Sequence, residues 1–171
     1  MDVWKRAMDS FKEFESDPRI QNKSLLTLVD FRIEMTNSRL WVVNMDTKTV
    51  EMHGPVSHGV RSGSRTGAGE HFSNNTGSNQ SSIGPFVTRG EYKSDLGGLT
   101  QAPSLRIEGL STTNKASKDR GIVFHGATYM AWRRVGTSHG CFATDPRLNT
   151  QIIRRIKNGT FVFDYAGDVC K

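Results

Sequence analysis

The apolar positions along the chain follow two periodicities, one helical and one extended. Residues 3–15 place aromatic and aliphatic side chains at helical spacing among Lys and Glu, which predicts an amphipathic helix that ends before an Asp-Pro pair. Apolar, β-prone runs at residues 25–31 and 40–45 predict two strands. Residues 49–52 then follow a short polar turn, so they would form a hairpin with the second strand.

A long polar segment, residues 53–82, interrupts this pattern. Gly, Ser, Asn, Thr and His dominate it, and composition alone would allow a disordered linker. Further β-prone runs follow, however, at residues 84–88, 105–110 and 121–124. Because strands resume behind it, and because loops of this length are usually functional when they are not disordered, we predict a long ordered loop of the same domain.

The remaining elements are a helix predicted over residues 147–157 and a strand predicted over residues 160–165. Many short strands with two flanking helices favour a mainly β fold. The length of 171 residues suits one domain with a short arm. We therefore divide the chain into an N-terminal amphipathic helix packed on the domain, residues 1–24, and the domain itself, residues 25–171.

The charge balance is basic, with a formal net charge of +6 and a pI of about 9.6. Such a balance favours anionic partners such as nucleic acid, anionic lipid or the acidic polymers of a cell wall. The Lys and Arg residues are scattered, so charge alone does not choose among these partners. No run approaches the ~20 apolar residues of a membrane span, and the first residues do not lead into the apolar core of a secretory signal.

The two cysteines, Cys141 and Cys170, lie far apart in the sequence. Cys170 is the penultimate residue, and chain ends are often poorly ordered, so it carries little weight. A disulfide between them is possible, but a chain of this length does not require one. Cys141 has the more informative surroundings. An apolar run ends at His125 and Gly126, and sixteen residues after the histidine a turn of small residues ends in Cys141.

A histidine and a cysteine in this arrangement can perform nucleophilic catalysis. A free thiol is mostly protonated at pH 7, so a nearby imidazole is needed to remove its proton and later return it to a leaving amine. Gly140 lets the backbone turn tightly, and the amides of Gly140 and Cys141 would then face a developing oxyanion. Taken singly, His and Cys are mostly structural, and the pair alone does not name a substrate.

The two segments together carry a resemblance to a known family. His125-Gly126, then about a dozen residues, then Ser138-His139-Gly140-Cys141, resemble the signature of the L,D-transpeptidase catalytic domain. Segments at residues 40–43, 56–59, 72–84 and 105–110 are similar, in order, to the murein L,D-transpeptidase branch. The resemblance covers residues 25–165 and implies a β-sandwich or barrel with an N-terminal and a C-terminal helix.

The family resemblance also implies a reaction. Such enzymes attack the carbonyl of an L-centre, typically diaminopimelate, that is linked to D-Ala in a peptidoglycan stem peptide. Cys141 would form the thioester, His125 would be the base, and the Gly126 carbonyl would orient its ring. Ser138 and His139 would shape the nucleophile turn. An amine would resolve the thioester as a transpeptidase does, and water would make the enzyme a carboxypeptidase or endopeptidase, that is, a hydrolase.

Substrate contacts are predicted from the same resemblance. His58 and Ser82 would belong to the wall of a cleft that receives an extended peptide. Many relatives carry an Arg two residues after the Cys, whereas this chain has Ala143 there. Recognition of a substrate carboxylate must therefore come from elsewhere. The candidates are Arg106, Arg120 and Arg133, of which Arg120 is favoured.

The place of action is expected to be the cell wall, in the periplasm or cell envelope. Without a signal segment in these 171 residues, the chain either acts after release from the cytosol as a phage lysin (an endolysin), or has had its signal removed. A lysin would require hydrolysis, so we hypothesise that the chain is a hydrolase. We expect peptidoglycan stem peptides as partners, a monomer, and neither nucleic acid nor an integral membrane segment.

Two other classes remain open. A zinc-dependent peptidoglycan hydrolase would draw its ligands from the histidines and Cys141, but no HExxH motif is present and the spacings match no common zinc site. The histidines concerned are His53, His58, His71, His125 and His139. A non-catalytic cell-wall-binding module would use only the basic surface. Aromatic residues are not interleaved with the basic pairs as nucleic-acid binding would favour, and no cofactor or metal is expected.

Overall fold

The computed structural model of the chain describes residues 2–167, so Cys170 and any disulfide that it forms lie outside the described residues. Within this range, two α-helices flank eight strands. The helices are α1, Val3–Phe14, and α2, Pro146–Ile156. The strands are β1, Asn22–Asp30; β2, Leu40–Asn44; β3, Thr49–Gly54; β4, Gly84–Ser94; β5, Ala102–Gly109; β6, Val123–Gly126; β7, Phe142–Thr144; and β8, Thr160–Tyr165.

All eight strands form one curled sheet in the order β3-β2-β1-β8-β4-β5-β6-β7. The pairs β1–β8 and β6–β7 are parallel, and the other neighbouring pairs are antiparallel. The predicted mainly β, barrel-like fold with a helix near each end is confirmed. Its division at residue 24 stays a prediction.

One side of the sheet carries the larger core, covered by α2. Asp145 caps this helix by accepting from the Arg147 amide at 2.8 Å, and Pro146 occupies its first turn, where a missing N–H costs nothing. Three isoleucines of α2, Ile152, Ile153 and Ile156, are buried in the same core as Phe124 of β6 and Phe142 of β7. Those two rings stack with centroids 4.8 Å apart. This packing fixes the strands that lead to the candidate site.

The other side of the sheet is covered by α1. Asp2 caps the helix by accepting from the Trp4 amide at 3.0 Å. Its apolar stripe buries Ala7 and Phe11, and Phe11 meets Phe161 of β8 edge to face, with ring centroids 5.4 Å apart. The predicted amphipathic helix is therefore packed on the sheet.

The polar segment between β3 and β4 lies against the end of the sheet without forming a regular strand. Two isolated bridges order it, Gly59 with Ser138 and Phe72 with Ser81. Small buried hydroxyls such as Ser62 complete its hydrogen bonds, with the Ser62 oxygen accepting from the Ser81 amide at 2.8 Å. A segment poor in apolar residues is thus held by polar contacts, one of which reaches the turn before Cys141.

Candidate active site

Cys141 and His125 are brought together by the parallel pair β6–β7. His125 lies in β6 and pairs with Ala143 of β7, two residues after Cys141. Both side chains line one groove of about 240 Å³, which we call the nucleophile groove. Its other lining residues are Leu96, Gly97, Tyr129, Thr137, Ser138 and His139.

The imidazole of His125 is buried and held by its own strand. Its Nδ1 lies 2.9 Å from the carbonyl oxygen of Gly126. A carbonyl oxygen can only accept, so Nδ1 carries the proton and Nε2 is the acceptor nitrogen of the neutral ring. Burial lowers the pKa of His125, while the Gly126 carbonyl acts in the opposite direction. The ring is therefore neutral at pH 7 and fixed in its orientation.

The thiol of Cys141 rests against the segment that leads into β6. Its sulfur lies 3.7 Å from the Gly121 carbonyl oxygen. Burial raises the pKa of the Cys141 thiol, and the Val123 amide and the charge of Arg120 oppose that rise. At pH 7 the side chain is accordingly a thiol that needs a base to become a nucleophile.

The turn that presents Cys141 is closed by two serine hydroxyls. Ser138 Oγ donates to the Cys141 carbonyl oxygen at 2.7 Å and accepts from the Gly140 amide at 3.1 Å. Ser57 Oγ donates to the same carbonyl at 3.1 Å and accepts from the Ala143 amide at 3.0 Å. The Gly140 amide therefore already has a partner in Ser138, and its predicted contact with an oxyanion stays a prediction.

Gly140 is required by the space behind the turn. Its φ of +117° lies in a region that side chains rarely adopt, and a Cβ there would lie 2.8 Å from the Gln80 carbonyl oxygen. The Nη2 atom of Arg120 would lie 3.2 Å from the same Cβ. The nucleophile turn thus packs directly on the polar segment.

The remaining residues predicted for this region occupy different positions. His139 is exposed and lines the groove. His58 is fully buried, and its Nε2 lies 3.1 Å from the Ser64 carbonyl oxygen. Burial lowers the pKa of His58 to about 4, with a further contribution from Arg39. Ser82 is also buried and donates to the Ser73 carbonyl at 3.2 Å. Both side chains face the interior of the domain rather than the groove.

The three candidate arginines do not converge. Arg120 donates to the carbonyl oxygens of Ser73 at 2.7 Å and Gln80 at 2.6 Å, and to Ser82 Oγ at 2.5 Å. Its guanidinium therefore binds the polar segment through hydrogen bonds. Arg106 lies elsewhere, on β5, with its guanidinium over an aromatic ring. Arg133 is exposed in a turn with a φ of +63° and lines a separate cavity.

Some groove residues are not marked by the sequence pattern. Tyr129 lines the groove three residues after Gly126, in the 3-10 turn Thr128–Met130. Burial raises the pKa of Tyr129 to about 12, so the phenol keeps its proton. Leu96 and Gly97 come from the connection after β4. The position of Tyr129 just after the end of β6 could have indicated that it lies in the groove. No local sequence feature indicates that Leu96 and Gly97 lie there.

Metal binding and membrane insertion are two further possibilities. Within residues 2–167, no group of three or more His, Cys, Asp or Glu side chains is placed to hold a metal ion. His53, for example, lies away from the groove with its Nδ1 2.9 Å from Ser38 Oγ. No helix in that part of the chain is long and apolar enough to cross a membrane.

Comparison with known proteins gives one family and one fold. Residues 1–165 match the model of the L,D-transpeptidase catalytic domain. Similar solved structures include an L,D-transpeptidase from Mycobacterium smegmatis, with 14% identity and a TM-score of 0.51 over 84% of this chain and 59% of that one. Bd1075 of Bdellovibrio bacteriovorus gives 15% identity and a TM-score of 0.53, over 83% and 48% of the two chains.

The helical cell shape determining protein Pgp2 from Campylobacter jejuni is also similar, with 9% identity and a TM-score of 0.55 over 94% of this chain and 56% of that one. The chain thus spans between 48% and 59% of the length of these three proteins. At such identities the likeness is one of fold. The curated proteins give no match.

Proposed function

The chain belongs to the L,D-transpeptidase catalytic-domain family, and we propose that it modifies peptidoglycan stem peptides by acyl transfer through a thioester on Cys141. The observation that carries the proposal is that His125 and Cys141 line one groove while the Gly126 carbonyl holds the proton on His125 Nδ1. A neutral imidazole beside a protonated thiol is a complete nucleophile and base pair.

In the acylation step, His125 Nε2 takes the proton of the Cys141 thiol as the sulfur attacks the carbonyl of the L-centre. The C–S bond forms, and the C–N bond to D-Ala breaks as His125 returns the proton to the leaving amine. The Cys141 amide is the proposed donor to the oxyanion, since the Gly140 amide already donates to Ser138.

In the second step, a nucleophile enters the space left by D-Ala and attacks the thioester. An amine of a second stem gives a crosslink, whereas water gives carboxypeptidase or endopeptidase products. His125 takes the proton of either nucleophile and returns it to the thiol. His139, exposed at the groove, and Tyr129, whose phenol stays protonated, are proposed to contact the incoming group.

The test is incubation of the chain with purified disaccharide-tetrapeptide and with crosslinked dimers, followed by mass spectrometry of the products. Wild type should release D-Ala, form dimers or cleave dimers, which would identify a carboxypeptidase, a transpeptidase or an endopeptidase respectively. Cys141→Ala should abolish all three, and His125→Gln should lower the rate by about a thousandfold or more, because nucleophile and base act as a unit.

His71→Gln is the matched control, because His71 is exposed and is not part of the nucleophile groove. It should keep the wild-type rate. Turnover that survives Cys141→Ala, or the absence of any product with wild type, would refute the proposal.

A further inference from the structure

A second cavity lies beyond the backbone segment on which the Cys141 thiol rests. It encloses about 520 Å³, and residues 121–123 form one of its walls. The same segment touches the nucleophile, since the Gly121 carbonyl oxygen lies 3.7 Å from the Cys141 sulfur and the Val123 amide lowers the pKa of the thiol. Residues 121–123 therefore line the cavity and also contact the Cys141 side chain of the nucleophile groove.

The charged side chains around this cavity are mostly cationic, and we call it the cationic pocket. Arg89, Arg106 and Lys118 line it together with a single carboxylate, Glu108, so three positive charges face one negative charge and leave a net charge of +2. Glu108 lies 3.5 Å from Arg89 and 3.6 Å from Lys118. That carboxylate orders two of the cations but leaves the third, Arg106, outside its ion pairs.

Arg106 is the pocket cation that strand pairing places beside residues 121–123. It lies on β5 directly opposite Val123, and its side chain is exposed. Its guanidinium stacks on the Tyr92 ring, 4.0 Å from the ring centroid. No carboxylate of residues 2–167 forms an ion pair with it. A stacked guanidinium is held flat while its N–H donors stay free, which suits two-point binding of a carboxylate.

Tyr92 connects this arginine to the catalytic base through the sheet. Tyr92 pairs with Ser104 of β5, and Ser104 pairs with His125 of β6. Residues directly opposite each other in a sheet project to the same face. The Arg106–Tyr92 stack and the His125 ring therefore lie on the same face of the sheet, and their separation is fixed by strand register rather than by a loop.

We propose that the cationic pocket binds a carboxylate of the acyl part of the donor peptide, with Arg106 as the main contact. This inference rests on the proposed function. His125 lines the nucleophile groove, so the leaving amine belongs there, and the acyl part extends from the attacked carbonyl past residues 121–123. The position two residues after Cys141 cannot supply the cation, because Ala143 there is small and buried.

Binding is measured by calorimetry with the Cys141→Ala chain, so that no chemistry intervenes. Three stem tetrapeptides are compared: one with all carboxylates free, one with the glutamate and diaminopimelate carboxylates replaced by primary amides, and one with only the D-Ala carboxylate replaced. Adding Arg106→Gln should weaken binding of the free peptide about tenfold, as expected for loss of a charged hydrogen bond. The same change should not affect the peptide amidated in its acyl part.

Arg154→Gln is the control, because Arg154 is an exposed arginine of α2 outside the pocket lining and the substitution removes the same charge. It should leave all three affinities unchanged. Equal weakening by Arg106→Gln and Arg154→Gln, no weakening by either, or an Arg106 effect that disappears when D-Ala alone is amidated would each overturn the pocket assignment. Turnover by wild type is measured separately, so loss of the proposed function and loss of the pocket are distinguishable.

Discussion

The guanidinium of Arg120 donates to the Gln80 carbonyl oxygen at 2.6 Å, across forty residues of sequence. The same oxygen is the atom nearest to where a Cβ at Gly140 would lie. One side chain therefore holds the polar segment in the position against which the nucleophile turn packs. Arg120 therefore has an internal structural role, and its removal should lower stability before it affects chemistry. Its predicted contact with a substrate carboxylate stays a prediction.

Arg120→Gln is expected to lower the free energy of unfolding by about 2–3 kcal/mol, because the carbonyl oxygens of Ser73 and Gln80 lose a charged donor. The measurement is urea unfolding, with limited proteolysis of residues 73–82 as a local probe. Arg154→Gln, on the exposed side of α2, should change neither. Unchanged stability and proteolysis in the Arg120 variant would show that the hydrogen bonds of Arg120 do not stabilise the fold.

Gly140→Ala should reduce turnover at least about tenfold and lower stability by about 1–3 kcal/mol, since the φ of +117° is strained for alanine and the new Cβ would press on the Gln80 carbonyl. Gly77→Ala is the matched control. Gly77 also has a positive φ, +76°, but a Cβ there meets nothing within 4 Å. If both variants lose the same turnover, backbone strain in general, and not the contact behind Cys141, would be the cause.

The pH dependence of turnover follows from His125 and Cys141. The pKa of His125 is lowered from its ordinary value of 6.5, so the base stays neutral at pH 6.5 and the acid limb of kcat/KM should lie below that pH. The pKa of Cys141 is raised above its ordinary value of 9.0, so alkylation of the free enzyme by iodoacetamide should accelerate only above pH 9. An acid limb above pH 7, or rapid alkylation at pH 6, would instead indicate a thiolate–imidazolium pair.

The buried Asp164 of β8 should make stability depend on pH. Burial raises the pKa of Asp164 well above the ordinary 3.8, although hydrogen bonds from the backbone amides of Gly84 and of Asp164 itself act in the opposite direction. The folded-state pKa exceeds the unfolded one, so this contribution to stability is complete below pH 3.8 and declines as pH rises towards the folded pKa. Asp164→Asn should remove the decline. Urea unfolding of both proteins between about pH 4 and pH 8 measures it, and parallel curves would contradict the assignment.

Periodicity alone predicted most of the regular structure. The helix expected over residues 3–15 is Val3–Phe14, and the strand expected over 160–165 is Thr160–Tyr165. The strand expected over residues 84–88 instead continues to Ser94, because its second half lies at the exposed end of a hairpin and lacks an apolar run. The strand Phe142–Thr144 was not predicted, since three residues are too few to show a period.

The candidate site divides in the same way. Local sequence was sufficient to single out His125 and Cys141, because each stands beside glycine in a distinctive segment. Contacts between distant segments were not predictable. The Ser57 hydroxyl that donates to the Cys141 carbonyl lies 84 residues away in sequence. Tyr92 is aligned with His125 across the sheet only because of the registers of β4, β5 and β6. Such partners depend on strand pairing, which residue types do not specify.

The position of β8 between β1 and β4 has a consequence for how the protein is made. Leu26 of β1 pairs with Phe161 of β8, and Phe86 of β4 pairs with Val162. As the ribosome synthesises the chain, β1–β3 and β4–β7 can form only as two separate blocks with unpaired inner edges. Residues 160–165 must emerge before the blocks can join, so folding is completed late. Its high contact order makes that last step slow, and the two open edges are where nascent chains would aggregate.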